Sequence, residues 1–364
     1  MVEIVRPTLL LNRRICEGNI RKMFSKAQKH HVQLIPHFKT HQSSKVGEWF
    51  MEAGVTAITV TSVKMAEYFA QNGWKGITIA FPVNILEVKE INSLATQVAL
   101  KIFINSKATT MSLKEHIKAD IKFYIEIDTG DGRSGVAADD YVQISDILES
   151  TRNSRLQFYG FYSHPGQTYA ATSPEEVKEI SAGVLNKLKA LKRHFKEEFP
   201  ELKIGLGDTP SCSLAEDFEG VDSIHPGNFV YYDLVQQNIG VNSFEEIAIS
   251  LAVPVVAVHP ERNEAIVHSG WVHQGKDSLN STAGNVHYGL VVELQQNGWS
   301  APIPGAKVIK LSQEHGVLSL PEEMIHRLKI GDIVGILPVH ACATAVMMGE
   351  IYTLEGERLE MMPR

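Results

Sequence analysis

The chain has 364 residues, of which 44% are hydrophobic and 21% charged, an ordinary balance for a folded protein that leaves no room for a long disordered tail. Thirty-five Lys and Arg against 42 Asp and Glu leave a net charge of −7, and no basic cluster is interleaved with aromatics, which argues against nucleic acid as a partner and for small-molecule chemistry. This length predicts one barrel-sized domain with a smaller one, or two of middling size.

Cys16, Cys212 and Cys342 are odd in number and scattered, a pattern of reduced thiols rather than of a disulfide framework. Apolar runs such as IAISLAVPVVAV are interrupted by Pro254 and too short to span a bilayer, and the opening MVEIVRP lacks the regions of a signal peptide. The expectation is a cytoplasmic protein with no membrane partner.

From Val32 to Asp233, short apolar runs alternate with longer amphipathic stretches. The runs are VQLI, AITV, GITIAF, ALKIFI, KFYIEI, LQFYGFYS, LKIGLG and DSIH; KVGEWFMEAG, SVKMAEYFAQNG and SPEEVKEISAGVLNKLKALKRHF read as helices between them. In the last, Ser173 suits the N-cap, Pro174 the first helical position, and Glu175 and Glu176 the positive end of the helix dipole. Eight strands joined by helices predict an α/β fold, a (β/α)8 TIM-like barrel over residues 13–240. After Gly240 come β-rich segments with turn signals, ISLAVPVVAVH, AIVHSG, YGLVVELQQNGW, AKVIKLS, DIVGILPVHACATAV and GEIYTLEG. They predict a smaller all-β domain over residues 241–364; the N-terminal strand within 1–12, around TLLL, is grouped with it although nothing local decides the matter.

Active sites of such barrels lie at the C-terminal ends of the strands. Strand one ends in HFKTH, strand five in EIDTGDGRSG, strand six in YSHPGQTY, strand seven in GLGDTPS and strand eight in HPGNF. Lys39, flanked by His37 and His41, is either a surface charge or chemistry. The turns after strands seven and eight, with Gly207, Gly227, Thr209, Ser211 and Asn228, are suited to a phosphate, although a bland turn into a helix reads the same. A phosphate site opposite a strand-end lysine points to pyridoxal phosphate held as a Schiff base on Lys39. In the glycine-rich loop, Arg133 either hydrogen-bonds the cofactor's phenolate or pairs with Asp128 or Asp131 as a turn arginine. In PVHACAT, His340 and Cys342 read as two residues on one face of a strand, a soft donor pair suited to zinc or an ordinary half-buried pair.

Together PHFKTH, EIDTGDGRSG, YSHPGQTY, GDTPS, HPGNFVYYD, QEHG and PVHAC resemble the fold type III pyridoxal phosphate enzymes, specifically the D-serine dehydratase and D-threonine aldolase group, over nearly the whole chain. The resemblance implies that Lys39 forms the internal aldimine, that Arg133 lies by the phenolic oxygen, and that His164 and Tyr169 approach the cofactor ring; His37, beside Lys39, is grouped with the cofactor-binding residues. It also implies that Thr209, Ser211, Gly227 and Asn228 fall where the phosphate is held, with Gly207 grouped with them from the turn itself, and that His340 and Cys342 bind zinc. IVHSGWVHQGKD departs from the aspartate-containing segment of that group, and His273 and Asp277 have no role in it.

The implied activity is that of a lyase, a D-serine dehydratase-like β-elimination from a small D-3-hydroxy amino acid to keto acid and ammonia, in a homodimer. Alternatives are D-threonine aldolase-like cleavage to glycine and an aldehyde, an amino acid racemase, a non-catalytic pyridoxal phosphate carrier, and a metal-dependent barrel hydrolase using His37 and His41.

Overall fold

The computed structural model describes residues 3–280 and 286–363; Met1, Val2 and Arg364, which belong to the expected β-rich portion, lie outside them, as do residues 281–285. Two compact units are present and are not consecutive in sequence: Lys22–Lys39 with Phe50–Gly227, and Met1–Arg21 with Thr40–Trp49 and Asn228–Arg364.

In the first unit, eight parallel strands pair in the order Gln33–Leu34, Ser223–Ile224, Lys203–Leu206, Leu156–Ser163, Ile121–Asp128, Ala99–Phe103, Gly76–Pro82 and Ala57–Val60. The ring closes between the last and the first. His37 and Thr59 form a parallel bridge, the Phe38 N–H donates to the Thr59 carbonyl at 2.8 Å, and the Thr59 N–H donates to the Pro36 carbonyl at 2.9 Å. This is the expected α/β barrel, and each strand contains residues from one of the eight apolar runs. The runs form strands because they are short, β-branched or aromatic, and bounded by turn residues. The helix Pro174–Phe195 starts as its residues predict, with the Glu176 N–H donating to Ser173 Oγ at 3.2 Å.

Inside the barrel, Phe103, Tyr124 and Tyr162 form a buried aromatic layer, with Phe103 and Tyr162 ring centroids 4.7 Å apart. Between strand one and the helices, Phe38 is fully buried and packs at 4.9–5.1 Å against Phe69, Phe50 and Trp74. With Phe38 anchored there in the turn that follows the strand, His37 and Lys39 on either side of it both line the barrel's cavity.

The second unit is built on a largely antiparallel sheet. Glu264–His268, His315–Ser319, Lys307–Leu311, Gly289–Val292, Ile333–Pro338 and Ile249–His259 pair in that order, and the last pairs back to the first. Thr8–Leu11 runs antiparallel to Ile249–His259 and parallel to Glu350–Thr353. One local expectation is overturned. His340 and Cys342 do not alternate along a strand, because the strand ends at Pro338, His340 is the N-cap of the helix Ala341–Met348, and Cys342 lies in its first turn. The alanine- and methionine-rich run ACATAVMM favours helix.

Candidate functional site

In the first unit, a cavity of about 390 Å³ is lined by His37, Lys39, Glu126, Arg133, Tyr162 and His164, among others. The barrel thus brings together the ends of strands one, five and six. The Lys39 N–H donates to His37 Nδ1 at 3.3 Å, which leaves the proton of the neutral ring on Nε2. Burial, then the nearby Lys39 charge, hold His37 well below the usual imidazole range. His164 is pushed down to about 3 by burial and by Arg133 and Lys39, so it too is neutral at ordinary pH. Its Nδ1 donates to the Gly207 carbonyl, which leaves Nε2 as an acceptor.

That contact joins strand six to strand seven. Tyr169 accepts the Thr209 N–H at 3.2 Å, and its ring centroid lies 6.1 Å from that of His164. Asp208 caps the short helix Thr209–Leu214: its Oδ2 accepts the Ser211 N–H at 2.7 Å and the Thr168 hydroxyl at 2.9 Å. Burial pushes Asp208 up to about 6. Thr209 Oγ1 is buried without a hydrogen-bond partner among the described residues, which is costly unless a ligand completes it. Gly227 follows Pro226, whose carbonyl accepts the His37 N–H at 2.8 Å.

Arg133 is half-exposed, with Nη2 3.7 Å from Glu126 Oε1 and Nε 3.7 Å from Asp131 Oδ2. Asp128 is otherwise engaged, its Oδ1 accepting the N–H groups of Gly130 at 2.8 Å and Gly132 at 3.2 Å. Sequence reasoning missed Glu126. Its Oε2 accepts from Asn105 Nδ2 at 3.0 Å and Ser134 Oγ at 2.8 Å, so a buried carboxylate supports Arg133, an arginine lining the cavity. The available signal was an acidic residue set among the apolar residues Phe123, Tyr124, Ile125 and Ile127 of one strand.

In the second unit, His340 and Cys342 are adjacent. Burial disfavours a charge on His340, yet the Cys342 sulfur and the Asp233 and Asp277 carboxylates raise it to about 10. The sulfur also lies 3.2 Å from Thr40 Oγ1 and 3.8 Å from Asn228 Nδ2. Asn228, expected at the phosphate, donates to Asp233 Oδ2 at 2.6 Å. Asp233, fully buried and unforeseen, also accepts the Ala341 N–H at 2.9 Å, and the same oxygen lies 4.0 Å from His340 Nδ1. An imidazole backed by a carboxylate and a sulfur approached by hydroxyl and amide groups form a donor pair that fits a borderline-soft ion with further ligands from water or substrate.

Comparison with known proteins agrees with this composition. Residues 13–235 match the family model described as Alanine racemase, N-terminal domain, and residues 248–354 match the Putative serine dehydratase domain. D-threo-3-hydroxyaspartate dehydratase of Delftia sp. (strain HT23) is 29% identical over 94% of this chain and 92% of its own. D-serine dehydratase of Dictyostelium discoideum is 26% identical over 96% and 93%. The Delftia enzyme's structure superposes with a TM-score of 0.88 at 28% identity, covering 98% of this chain and 97% of that one; a mutant of D-threo-3-hydroxyaspartate dehydratase has been solved in a metal-free form. The chain belongs to the alanine racemase N-terminal domain family and joins that barrel to a serine dehydratase-type domain, the composition of a fold type III pyridoxal phosphate enzyme.

Proposed function

We propose that this protein is a pyridoxal phosphate-dependent lyase that eliminates water from a small D-3-hydroxy amino acid, giving a keto acid and ammonia. The observation that carries the reading is Lys39 sharing one cavity with neutral His37, neutral His164 and Arg133. The unpartnered Thr209 hydroxyl beside Tyr169 and the turn at Gly207 fit a phosphate, and Phe103 and Tyr162 in the cavity lining offer apolar surface to an aromatic ring. Bound there, pyridoxal phosphate supplies an electron sink for the charge left when the substrate's α-proton departs.

The chain's own groups do the rest. Lys39 would hold the cofactor, and its amine would serve as the base for the α-proton. Arg133 offers hydrogen bonds to an anionic oxygen, and the neutral histidines accept or donate without adding charge. His340 and Cys342 would hold the metal, for which we propose zinc. Such an ion supplies Lewis acidity toward a leaving hydroxyl.

We assign residues 13–240 to cofactor binding and 241–364, with 1–12, to the metal. Within the cofactor set, Gly227 and Asn228 complete the phosphate surroundings. A homodimer is the accompanying reading, supported by the resemblance to fold type III enzymes, and a cytoplasmic location is supported by the odd number and scatter of the cysteines. No helix among the described residues is long and apolar enough to cross a membrane.

The test is incubation of the purified protein with D-serine, D-threonine and D-threo-3-hydroxyaspartate, assaying separately for keto acid and for glycine. Keto acid is expected. Glycine with an aldehyde would make it an aldolase, as several relatives are, and inverted amino acid alone would refute both lyase readings.

A further inference from the structure

Away from His340 and Cys342, His268, His273 and Glu314 place three potential ligand atoms within 4.8 Å of one another. His268 ends the strand Glu264–His268, His273 belongs to the short helix Trp271–Gln274, and Glu314 lies in the turn between Lys307–Leu311 and His315–Ser319. These are the residues of IVHSGWVHQGKD and QEHG that the proposed reaction leaves unused.

The backbone holds the two segments together. The Trp271 N–H donates to the Ser312 carbonyl at 2.9 Å, and strands Glu264–His268 and His315–Ser319 pair up to His268 opposite His315. A Cβ at Gly270 would lie 2.0 Å from the Gln313 carbonyl oxygen, and one at Gly316 would lie 2.5 Å from that of Ser269. Glycine at both positions therefore permits the approach that brings the side chains together.

Both imidazole Nε2 atoms lie 3.5 Å from the same oxygen, Glu314 Oε2. That is longer than a charge-assisted hydrogen bond, about 2.7–2.9 Å. It matches donors sharing an ion, because two ligands bound at about 2.1 Å in tetrahedral geometry stand about 3.4 Å apart. The rings cross at 88°, with centroids 5.6 Å apart, so each presents an edge to the common point from a different direction. Side-chain exposures of 43% for His268 and 51% for Glu314 leave room for water in the remaining position.

We propose that His268, His273 and Glu314 bind a divalent transition-metal ion at a site separate from the His340–Cys342 pair. Two imidazoles select zinc, cobalt or nickel over magnesium and calcium. In the ion-free arrangement the Gly270 N–H donates to His273 Nδ1 at 3.1 Å, which leaves the ring's proton on Nε2. Ion capture at Nε2 must displace that proton and disturb the Gly270 contact, which makes the site weaker than a closed structural one. The helix carrying His273 accepts the Thr344 hydroxyl at the Gln274 carbonyl, 3.3 Å, so an ion here braces the helix headed by His340.

The test uses full-length protein carrying His340→Ala and Cys342→Ala, stripped with chelator and dialysed against zinc, with bound metal counted by elemental analysis. About one zinc ion per chain is expected, and most of it should be lost on adding Glu314→Gln, an exposed and fold-neutral change, or His268→Ala. Cobalt bound in place of zinc should give visible absorption that disappears with the same substitutions. No zinc above a buffer control in the starting variant, or unchanged zinc after both further substitutions, would overturn the proposal.

Discussion

Glu126 supports Arg133 in the cavity: Oε1 lies 3.7 Å from the guanidinium Nη2, while Oε2 is fixed by Asn105 and Ser134. A half-exposed arginine gains little stability from such a pair, so the carboxylate's value is in aiming the guanidinium. Glu126→Gln should fold normally yet lower kcat/KM by about tenfold or more, the usual cost of losing a supporting partner. It should also shift the visible absorption of the cofactor-loaded protein. Unchanged activity and spectrum would show that Arg133 needs no such support.

Lys39 lines the cavity while its neighbour Phe38 is locked among Phe50, Phe69 and Trp74, so replacing the lysine should leave the fold intact. Lys39→Ala protein reconstituted with pyridoxal phosphate should lack borohydride-sensitive absorbance and lose activity on the order of 10³-fold or more. Borohydride fixation of the cofactor to the variant would move the attachment point elsewhere.

Much of this was visible in the residues. The barrel strands announce themselves as short β-branched runs, and the site follows because chemistry collects at strand ends. Relationships across the fold were not visible. Glu126 was quoted within its motif, but its pairing with Asn105 depends on the register of neighbouring strands. Asp233 lies more than a hundred positions from His340. PVHACAT read as a strand because alternating small apolar residues also fit a two-residue period; helix propensity prevailed once the strand ended at Pro338.

His340 and Cys342 offer two strong donors, an imidazole and a sulfur, and an ion held by such a pair takes its further ligands from water or substrate. Treatment with chelator, or Cys342→Ala, should lower keto acid formation by about tenfold or more while leaving the cofactor's absorbance in place. Zinc should restore the chelated wild type and not the variant. Full turnover by metal-free protein would remove the ion from the reaction.

Mild acid should destabilise the fold, chiefly through its buried neutral histidines. His164 and His225 are each held down to about 3, chiefly by burial, and His225 is bonded on both ring nitrogens, to Thr59 Oγ1 at 2.7 Å and Ser223 Oγ at 2.8 Å. Against an unfolded value of about 6.5, the unfolded chain binds more protons. The stability from each neutral ring is therefore complete above about pH 6.5 and falls by about 1.4 kcal/mol per pH unit toward pH 3. Asp208, raised to about 6, works the other way between about pH 4 and 6, since there the folded chain holds the proton. His41 and His37, also held down by burial, add to these losses, which outweigh the opposite contributions of Asp208 and Asp233, so the urea midpoint should drop between pH 7 and 4.5. A flat profile would mean these rings are not buried neutral.

Gly207 and Gly183 should respond oppositely to alanine. A Cβ on Gly207 would lie 1.9 Å from Tyr162 Oη, and Tyr162 cannot withdraw because its ring is packed against Phe103 and Tyr124 at 4.7 and 5.9 Å. Overpacking of this kind costs about 1–3 kcal/mol, and displacing the Gly207 carbonyl would also release the His164 ring. Gly207→Ala should therefore lower the urea midpoint and weaken pyridoxal phosphate binding together. Gly183 lies inside the helix Pro174–Phe195 with nothing within 4 Å of an added Cβ. Gly183→Ala should stabilise by about 0.5–1 kcal/mol through helix propensity alone and leave cofactor affinity unchanged. If Gly207→Ala matched wild type in both midpoint and affinity, the close approach of strands six and seven would not be what shapes the pocket.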